Sequence, residues 1–230
     1  MLDLTILMPC YNEETTIAAC IEEAQSYLAA SGLAGEILVV DNNSTDRSAE
    51  IAASLGARIV PEFVPGYGSA LRRGIAEARG RVIIFADADT TYDFGNLDPI
   101  YGPLAEKRYD MMIGIRQIQP GAMSWSHRVG VRFLSALGRW RFHADVRDFH
   151  CGIRGITREA ASRCTWTCPG MEFATEMIAM ATHKGLRIGQ VEVPLRCCQD
   201  RERVPKLRTV RDGLRHLRFI FSYAARRGRG

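Results

Sequence analysis

Long apolar runs are missing from this chain of 230 residues. No uninterrupted apolar stretch reaches the roughly 18 to 20 residues that a membrane-spanning helix needs. The first residues also lack the basic region and following apolar stretch that mark a secretory signal. We therefore expect a protein that is made and kept in the cytosol.

Regular cysteine spacing and the common phosphate-binding loops are missing as well. The seven cysteines are odd in number, irregular in spacing and without a C-x2-C pair, so neither a disulfide framework nor a structural zinc site is expected. The chain has no Walker A sequence, and the G-x-G in residues 65–71 (PGYGSAL) lacks the third glycine of a dinucleotide-binding loop. P-loop and nicotinamide chemistry are therefore disfavoured.

The charge is distributed unevenly along the chain. The net charge is +4, but residues 196–230 contain eleven Lys or Arg and three Asp or Glu, so this segment carries +8 and the rest about −4. A basic segment on a mildly acidic body indicates an anionic partner, and nucleic acid, an anionic lipid surface and a phosphorylated substrate are the candidates. With 47% hydrophobic residues, the body can bury one enzyme-sized core.

Three apolar runs of strand length supply the main structural pattern. They lie in residues 4–13 (LTILMPCYNE), 36–46 (EILVVDNNSTD) and 81–91 (RVIIFADADTT), and each run ends in polar residues that lead towards a helical pattern. This alternation predicts an α/β fold with a mostly parallel sheet flanked by helices. Because the carboxyl ends of parallel strands meet at one edge of the sheet, the polar residues are expected to converge there.

Asp87 and Asp89 end the third run as a D-x-D sequence. Taken alone, such residues could cap the next segment or line a turn. Their place among three converging polar ends favours a binding role instead. Paired carboxylates at this edge suit Mg²⁺ or Mn²⁺ that carries a diphosphate.

Seven segments, in this order and spacing, resemble the family-2 glycosyltransferases of GT-A fold: PCYNE, VVDNNSTD, GYGSALRRG, ADAD, DFHCGIRG, GMEFATEM and VEVPL. Within that family the chain is most similar to the dolichyl- and polyprenyl-phosphate hexosyltransferases. The resemblance implies a Rossmann-like GT-A fold and the inverting transfer of a hexose from a UDP- or GDP-linked sugar to a polyprenyl phosphate. We assign residues 1–208 to the catalytic domain and residues 209–230 to a basic amphipathic helix.

The resemblance implies a donor site and the residues that form it: Pro9, Tyr11, Glu13, Asp41, Asn42, Asp87, Arg203 and Lys206. Of these, Pro9, Tyr11 and Glu13 fall where the family holds the nucleotide base and ribose, and Asp41 and Asn42 would close the other side of the base. Asp87 and Asp89 would hold the Mg²⁺ or Mn²⁺ ion. Asn42 stands where the family usually has a second acidic residue, so the base, uracil or guanine, stays open. Arg203 and Lys206 resemble a basic loop that closes over the donor diphosphate.

The resemblance also implies an acceptor site built from cations, with Arg116 and Arg128 at positions that bind the acceptor phosphate. A lipid phosphate oxygen is already anionic at neutral pH, so a general base is dispensable and cations become the requirement. Asp148 could orient an acceptor arginine, accept a hydrogen bond from the sugar, or simply cap its loop. With Asp89, these three are the predicted catalytic residues.

Two segments have the pattern of amphipathic helices with arginine-rich polar faces, residues 124–142 and 209–230. In the second, apolar residues recur at helical spacing: Val210, Leu214, Leu217 and Phe221. Such helices can bind an anionic membrane surface, although an ordinary half-buried helix explains the first segment equally well. We expect peripheral association with the cytoplasmic face of a membrane.

Three other functions compete with this one. A transferase of the same fold acting on a soluble or polysaccharide hydroxyl would need a general base, such as Asp148 or Glu172. A nucleotidyltransferase that makes sugar nucleotides is disfavoured because the chain does not begin with a glycine- and arginine-rich phosphate loop. A nucleic-acid-binding module would use the basic segment but leaves the carboxylates unexplained, so no nucleic-acid partner is expected.

Overall fold

The computed structural model describes the backbone of residues 2–118, 125–197 and 209–227, and the side chains of residues 2–118, 129–197 and 212–223. The elements in these ranges are, in chain order, β1 (Leu2–Cys10), α1 (Ile17–Ser31), β2 (Gly35–Asp41), α2 (Ser48–Ser54), β3 (Arg58–Pro61), α3 (Tyr67–Glu77), β4 (Gly80–Phe85), α4 (Asp98–Ala105), β5 (Met111–Ile118), α5 (Trp125–Phe142), β6 (Arg154–Thr157), α6 (Arg158–Ser162), α7 (Phe173–His183), β7 (Ile188–Leu195) and α8 (Thr209–Arg227). The predicted alternation of strands and helices is confirmed in its first half.

The strands form one seven-stranded sheet in the order β3-β2-β1-β4-β6-β5-β7. Only β6 runs antiparallel to its neighbours within this sheet. β1 is central in the parallel half, where Ile6 pairs with Ile37 of β2 and Ile84 of β4. The polar ends of β1, β2 and β4 therefore lie at the same edge of the sheet, as predicted.

The core fills both faces of this sheet. The fully buried strand residues include Ile6, Leu38 and Ile84, and the helices cover them with their own apolar faces. In α1 that face includes Ile17 and Ile21, both buried. A buried Leu or Ile side chain contributes about 1.5–3 kcal/mol to folding, so the apolar runs of the sequence account for most of this half of the fold.

Two glycines let a distant loop close over the start of α3. A Cβ added at Gly66, where φ is 138°, would lie 2.2 Å from the carbonyl oxygen of Pro169, and one at Gly68 would lie 2.3 Å from that of Cys168. The amide of Ser69 donates to the Pro169 carbonyl at 3.0 Å. The G-x-G sequence therefore serves close packing of the segment before α7.

Helix α8 packs against α5 and α7. Among its described side chains the buried ones are Asp212, His216, Phe219 and Ile220, whereas Leu214 and Phe221 of the predicted apolar stripe are exposed. Phe219 and Tyr223 form an aromatic cluster with Phe142 of α5, with ring centroids 5.3–6.3 Å apart. Among the described helices none is long and apolar enough to cross a membrane.

Candidate active site at the carboxyl edge of the sheet

The D-x-D sequence forms the loop that leaves β4. Asp89 is 7% exposed, and its Oδ1 accepts hydrogen bonds from the amide and hydroxyl of Thr91 at 3.1 and 2.5 Å. Tyr67, at the start of α3, is hydrogen-bonded to Asp87. Burial and the nearby charge of Asp87 raise the pKa of Tyr67 well above its ordinary value, so the phenol keeps its proton and donates to the carboxylate.

A threonine ties the first loop of the chain to the D-x-D loop. The hydroxyl of Thr16 donates to the carbonyl of Ala88, between the two aspartates, at 2.7 Å. The same hydroxyl lies 3.3 Å from Oε2 of the buried Glu13. The Glu13 amide in turn donates to Ser48 at 2.7 Å. Glu13 is therefore held beside the carboxylates, where the resemblance placed the ribose.

The remaining predicted base-binding residues occupy neighbouring strand ends. Cys10 is level with Asp41 in the register of β1 and β2, so Tyr11 and Asn42 follow side by side. Tyr11 is 48% exposed, which leaves ring surface at the edge of the sheet, and Pro9 is half-buried just before it. Their binding of a base stays a prediction that this placement supports.

Asn42 uses its side-chain amide to hold a loop. Its Nδ2 donates to the carbonyls of Glu62 and Val64 at 2.8 and 2.9 Å, and its Oδ1 accepts from the Gly66 amide at 2.7 Å. A carboxylate cannot donate to two carbonyl groups. The departure from the family pattern at this position therefore has a local structural reason, and contact with the base stays a prediction.

Arg116 and Asp148 form a buried bidentate ion pair. Nε and Nη2 of Arg116 donate to the two Asp148 oxygens at 2.7 and 2.8 Å, and the side chains are 8% and 11% exposed. Burial acts to raise the pKa of Asp148, but the hydrogen bonds and charge of Arg116 outweigh it and lower that pKa. Of the three roles considered for Asp148, the structure shows two: it orients Arg116, and it caps its own loop by accepting a hydrogen bond from the His150 amide at 3.0 Å. Contact with the sugar stays a prediction.

Tyr92 connects this ion pair to the D-x-D loop. Its hydroxyl accepts a hydrogen bond from the Gly152 amide at 2.8 Å, and a Cβ added at Gly152 would lie 2.6 Å from Oδ2 of Asp87. Burial is the largest cause of the raised pKa of Tyr92. The negative charge of Asp87 also raises this pKa, and the positive charge of Arg116 lowers it. The D-x-D loop and the loop that carries Asp148 therefore lie against each other at Tyr92 and Gly152.

The loop that carries Asp148 is fixed by a buried arginine that sequence analysis missed. The Arg154 side chain is fully buried in β6, and it donates to three backbone carbonyls at 2.7–2.9 Å, those of Phe149, Cys151 and Ala174. Tyr67 and Tyr92 were missed as well. Their positions within GYG and directly after ADADTT were the only available signals.

Three predicted cations cannot be placed by their side chains. Arg203 and Lys206 lie outside the described residues, and for Arg128 only the backbone, in α5, is described. Arg196, close to the end of the described range 125–197, lies beside the D-x-D loop, because its amide donates to the Thr91 carbonyl at 2.9 Å. The roles of these three residues stay predictions.

Two acidic residues of the GMEFATEM segment have different surroundings. Buried Glu176 accepts hydrogen bonds from the amides of Thr167 and Cys168, which is a structural task. Oε2 of Glu172 is buried without a hydrogen-bond partner among the described residues, and Nε of Arg215 lies 3.7 Å away. Oε2 of Glu172 can therefore still accept a hydrogen bond or a proton.

The carboxylates of the D-x-D loop fit a divalent cation brought by a phosphate ligand. In the described part of the chain, no group of three or more His, Cys, Asp or Glu side chains is arranged to hold a metal. Mg²⁺ is commonly bound by one or two carboxylates together with substrate phosphates. Asp87 and Asp89 provide that donor set in a fixed arrangement.

The model of the Glycosyl transferase family 2 matches residues 5–164 of this chain. The chain therefore belongs to glycosyl transferase family 2. It is 37% identical, over 94% of its length, to the low-salt glycan biosynthesis hexosyltransferase Agl6 of Haloferax volcanii. It spans only 52% of Agl6 and 59% of the glycosyltransferase AglJ from the same organism.

A dolichyl-phosphate hexose transferase of Haloferax volcanii is 31% identical, with 84% of this chain and 83% of that protein covered. Among solved structures, glucosyl-3-phosphoglycerate synthase of Mycobacterium tuberculosis with Mn²⁺ and UDP-glucose matches with a TM-score of 0.76 at 23% identity, covering 96% of this chain and 78% of that one. At this identity the likeness shows the fold, and the predicted α/β GT-A fold is confirmed.

Proposed function

We propose that this protein is an inverting, metal-dependent hexosyltransferase that moves a sugar from UDP or GDP to a polyprenyl phosphate. The observation that carries the proposal is the buried Arg116–Asp148 pair next to the D-x-D loop. A fixed guanidinium beside the donor carboxylates suits an acceptor that is itself anionic. The similarity to a dolichyl-phosphate hexose transferase supports the same acceptor class.

The donor half of the site has the parts that a nucleotide sugar requires. The ring of Tyr11 would stack on the base, and the carboxylate of Glu13 would accept hydrogen bonds from the ribose hydroxyls. A Mg²⁺ or Mn²⁺ ion bound at Asp87 and Asp89 would neutralise the leaving diphosphate. Crystals of a protein with the same fold contain Mn²⁺ together with UDP-glucose, which supports this assignment.

The acceptor half would position a phosphate for direct attack. One phosphate oxygen forms a bond to the anomeric carbon, while the bond from that carbon to the nucleoside diphosphate breaks and its electron pair leaves with the diphosphate. No proton has to be removed from the nucleophile. The guanidinium of Arg116 has five N–H donors, of which Asp148 takes two, so the others can bind the phosphate.

Helices α5 and α8 would bring the protein to its lipid. They pack against each other, and both expose large apolar side chains: Phe133, Trp140, Leu214 and Phe221, each 60–68% exposed. Exposed arginines flank them, including Arg132, Arg139 and Arg218. Apolar and basic side chains on one helix pair favour binding to the anionic cytoplasmic surface of a membrane.

A hydroxyl acceptor is the second candidate, and Glu172 is the observation that favours it. A buried carboxylate oxygen without a hydrogen bond among the described residues could accept the proton of an attacking hydroxyl. The matching synthase was also crystallised with phosphoglyceric acid, a soluble phosphorylated acid. Asp148 is a poor candidate for this base because its two oxygens are bound to Arg116.

The donor half is tested by calorimetry with UDP and GDP, each with and without Mn²⁺. We expect metal-dependent binding of one nucleotide, and Asp89→Asn should lose it while the circular dichroism spectrum is unchanged. Asp145→Asn, a change at an exposed carboxylate, is the matched control. Metal-independent binding by Asp89→Asn would contradict the assignment.

The acceptor half is tested with a radiolabelled sugar on the nucleotide that binds. We expect transfer to a short polyprenyl phosphate and none to 3-phosphoglycerate. Glu172→Gln distinguishes the two chemistries, because loss of a general base lowers turnover by about 10²–10⁴-fold, whereas a phosphate nucleophile tolerates the change. Transfer to the soluble acid alone, abolished in Glu172→Gln, would establish the second candidate.

A further inference from the structure

The inner face of α8 reaches the acceptor side of the site through one histidine. His216 is 4% exposed, and its Nδ1 lies 2.8 Å from the hydroxyl of Thr175 in α7, a hydrogen-bond distance. Its ring also meets the ring of His150 edge to face, with centroids 4.6 Å apart and an interplanar angle of 78°. His216 is thus held by one helix while it contacts the loop between α5 and β6.

His150 belongs to the hydrogen-bond arrangement around the ion pair. Its amide donates to Oδ1 of Asp148 at 3.0 Å, the same oxygen that accepts from Nη2 of Arg116. A continuous chain of contacts therefore runs from α8 through His216 and His150 to Asp148 and Arg116. A shift of the His150 ring would move its backbone amide, and with it one of the hydrogen bonds that hold the Asp148 carboxylate.

The chemical nature of residue 216 is informative because an apolar side chain would fill the space between α7 and α8 at lower cost. Burying an imidazole removes it from water and requires a compensating hydrogen bond. Burial, with a smaller contribution from the charge of Arg154, lowers the pKa of His216 to about 4. The ring is therefore neutral at physiological pH and can hold the Thr175 hydroxyl and the His150 ring together.

We propose that His216 is a positioning residue for the acceptor, which acts through His150 to keep the Asp148–Arg116 pair in place. Helix α8 is then part of the catalytic unit, in addition to its exposed apolar side. The role in acceptor binding rests on the proposed function, whereas the contact with the 148–152 loop does not. This difference allows the two ideas to fail separately.

The test compares His216→Leu, which removes both contacts, with His216→Asn, whose amide can still reach Thr175. For His216→Leu we expect kcat/KM for polyprenyl phosphate to fall by about tenfold to a hundredfold, as misplaced reacting groups cause. The dissociation constant for the nucleotide should stay within about twofold, because the donor residues lie on other loops. His216→Asn should recover part of the loss, and Ser222→Ala on the exposed side of α8 should show none.

Hydrogen exchange of the His150 amide gives a readout that does not depend on turnover. We expect faster exchange in His216→Leu, because the Asp148 hydrogen bond of that amide is weakened. A lower melting temperature with unchanged exchange at His150 and unchanged kcat/KM would show that His216 only stabilises α8. Equal losses of donor and acceptor affinity would also overturn the proposal. If the wild-type protein transfers no sugar to lipid phosphate, the proposed acceptor fails, and the exchange data still decide whether His216 positions the loop.

Discussion

The substitution Asp148→Asn tests the buried ion pair by replacing its carboxylate with a neutral amide. Asn is close to Asp in shape, so the loop can keep its path. The variant retains one carbonyl acceptor for Arg116 but leaves a guanidinium that is 8% exposed without its countercharge. The physical effect of the substitution is therefore mainly electrostatic.

The expected loss of stability follows from this burial. Removing one partner of a buried ion pair costs about 3–5 kcal/mol, and the remaining amide acceptor places Asp148→Asn near the lower end, at about 3 kcal/mol. For a chain of this length, each kcal/mol lowers the melting temperature by about 2–4 °C, so the shift should be about 6–12 °C. Exposed pairs are worth far less, typically below about 1 kcal/mol. Arg81→Gln, which removes an exposed pair with Asp3, is the matched control.

The pH dependence provides a second signature. The folded-state pKa of Asp148 lies below its unfolded value, so the pair's contribution is complete above the unfolded pKa, about 4, and is lost as the pH falls through the folded pKa. The difference in unfolding free energy between wild type and Asp148→Asn should therefore be constant from pH 8 to pH 5. It should narrow below about pH 4.

Urea unfolding followed by tryptophan fluorescence measures these quantities. A double-mutant cycle with Arg116→Met and Asp148→Leu should give a coupling free energy of about 2–3 kcal/mol, since the two side chains are in direct contact. A loss below about 1 kcal/mol in Asp148→Asn, with no coupling in the cycle, would refute the reasoning from burial. Unchanged kcat/KM for the acceptor would refute the role of the pair in acceptor binding.

Two further predictions concern the close approach at the site and the surface of α5 and α8. Gly152→Ala places a Cβ 2.6 Å from Oδ2 of Asp87 and should weaken metal-dependent nucleotide binding by at least about tenfold. Gly213→Ala, which has open space around the added atom, should leave this binding unchanged. Equal affinities of the two variants in calorimetry would contradict the prediction. The double variant Trp140→Ser, Phe221→Ser should bind anionic vesicles at least about tenfold more weakly in sedimentation assays, because both side chains are exposed and available to the bilayer. Unchanged sedimentation would contradict the proposed membrane-binding surface.

The parallel half of the sheet was predictable because its strands are buried on both faces. Such strands appear as continuous apolar runs, and the runs before Cys10, Asp41 and Asp87 were recognised for that reason. β6 escaped prediction because it has four residues and includes a buried arginine. Arg154 donates hydrogen bonds to backbone carbonyls of the preceding loop, and hydrophobic periodicity in a sequence does not reveal such a role.

The candidate site was predictable in its residues but less so in its contacts. The resemblance indicated Arg116 and Asp148 separately, and the sequence left three roles open for the aspartate. Their pairing joins Arg116 in strand β5 to Asp148, which follows 32 residues later in the loop before β6. Asn42 shows the opposite case. Its departure from the family pattern left the identity of the base open, whereas the structure shows its side-chain amide holding the 62–66 loop.

Helix α8 shows why periodicity alone could not decide which face is buried. The stripe through Leu214 and Phe221 is the more apolar one, yet these side chains are 61% and 60% exposed, while the polar His216 is buried. A helix that only completed the core would turn the apolar stripe inward. The observed orientation makes sense if the inner face is fixed by specific contacts to the 148–152 loop and the outer face is covered by a further apolar partner. The neighbouring arginines favour an anionic bilayer as that partner, and the same helix would then connect membrane attachment with the geometry of the acceptor site.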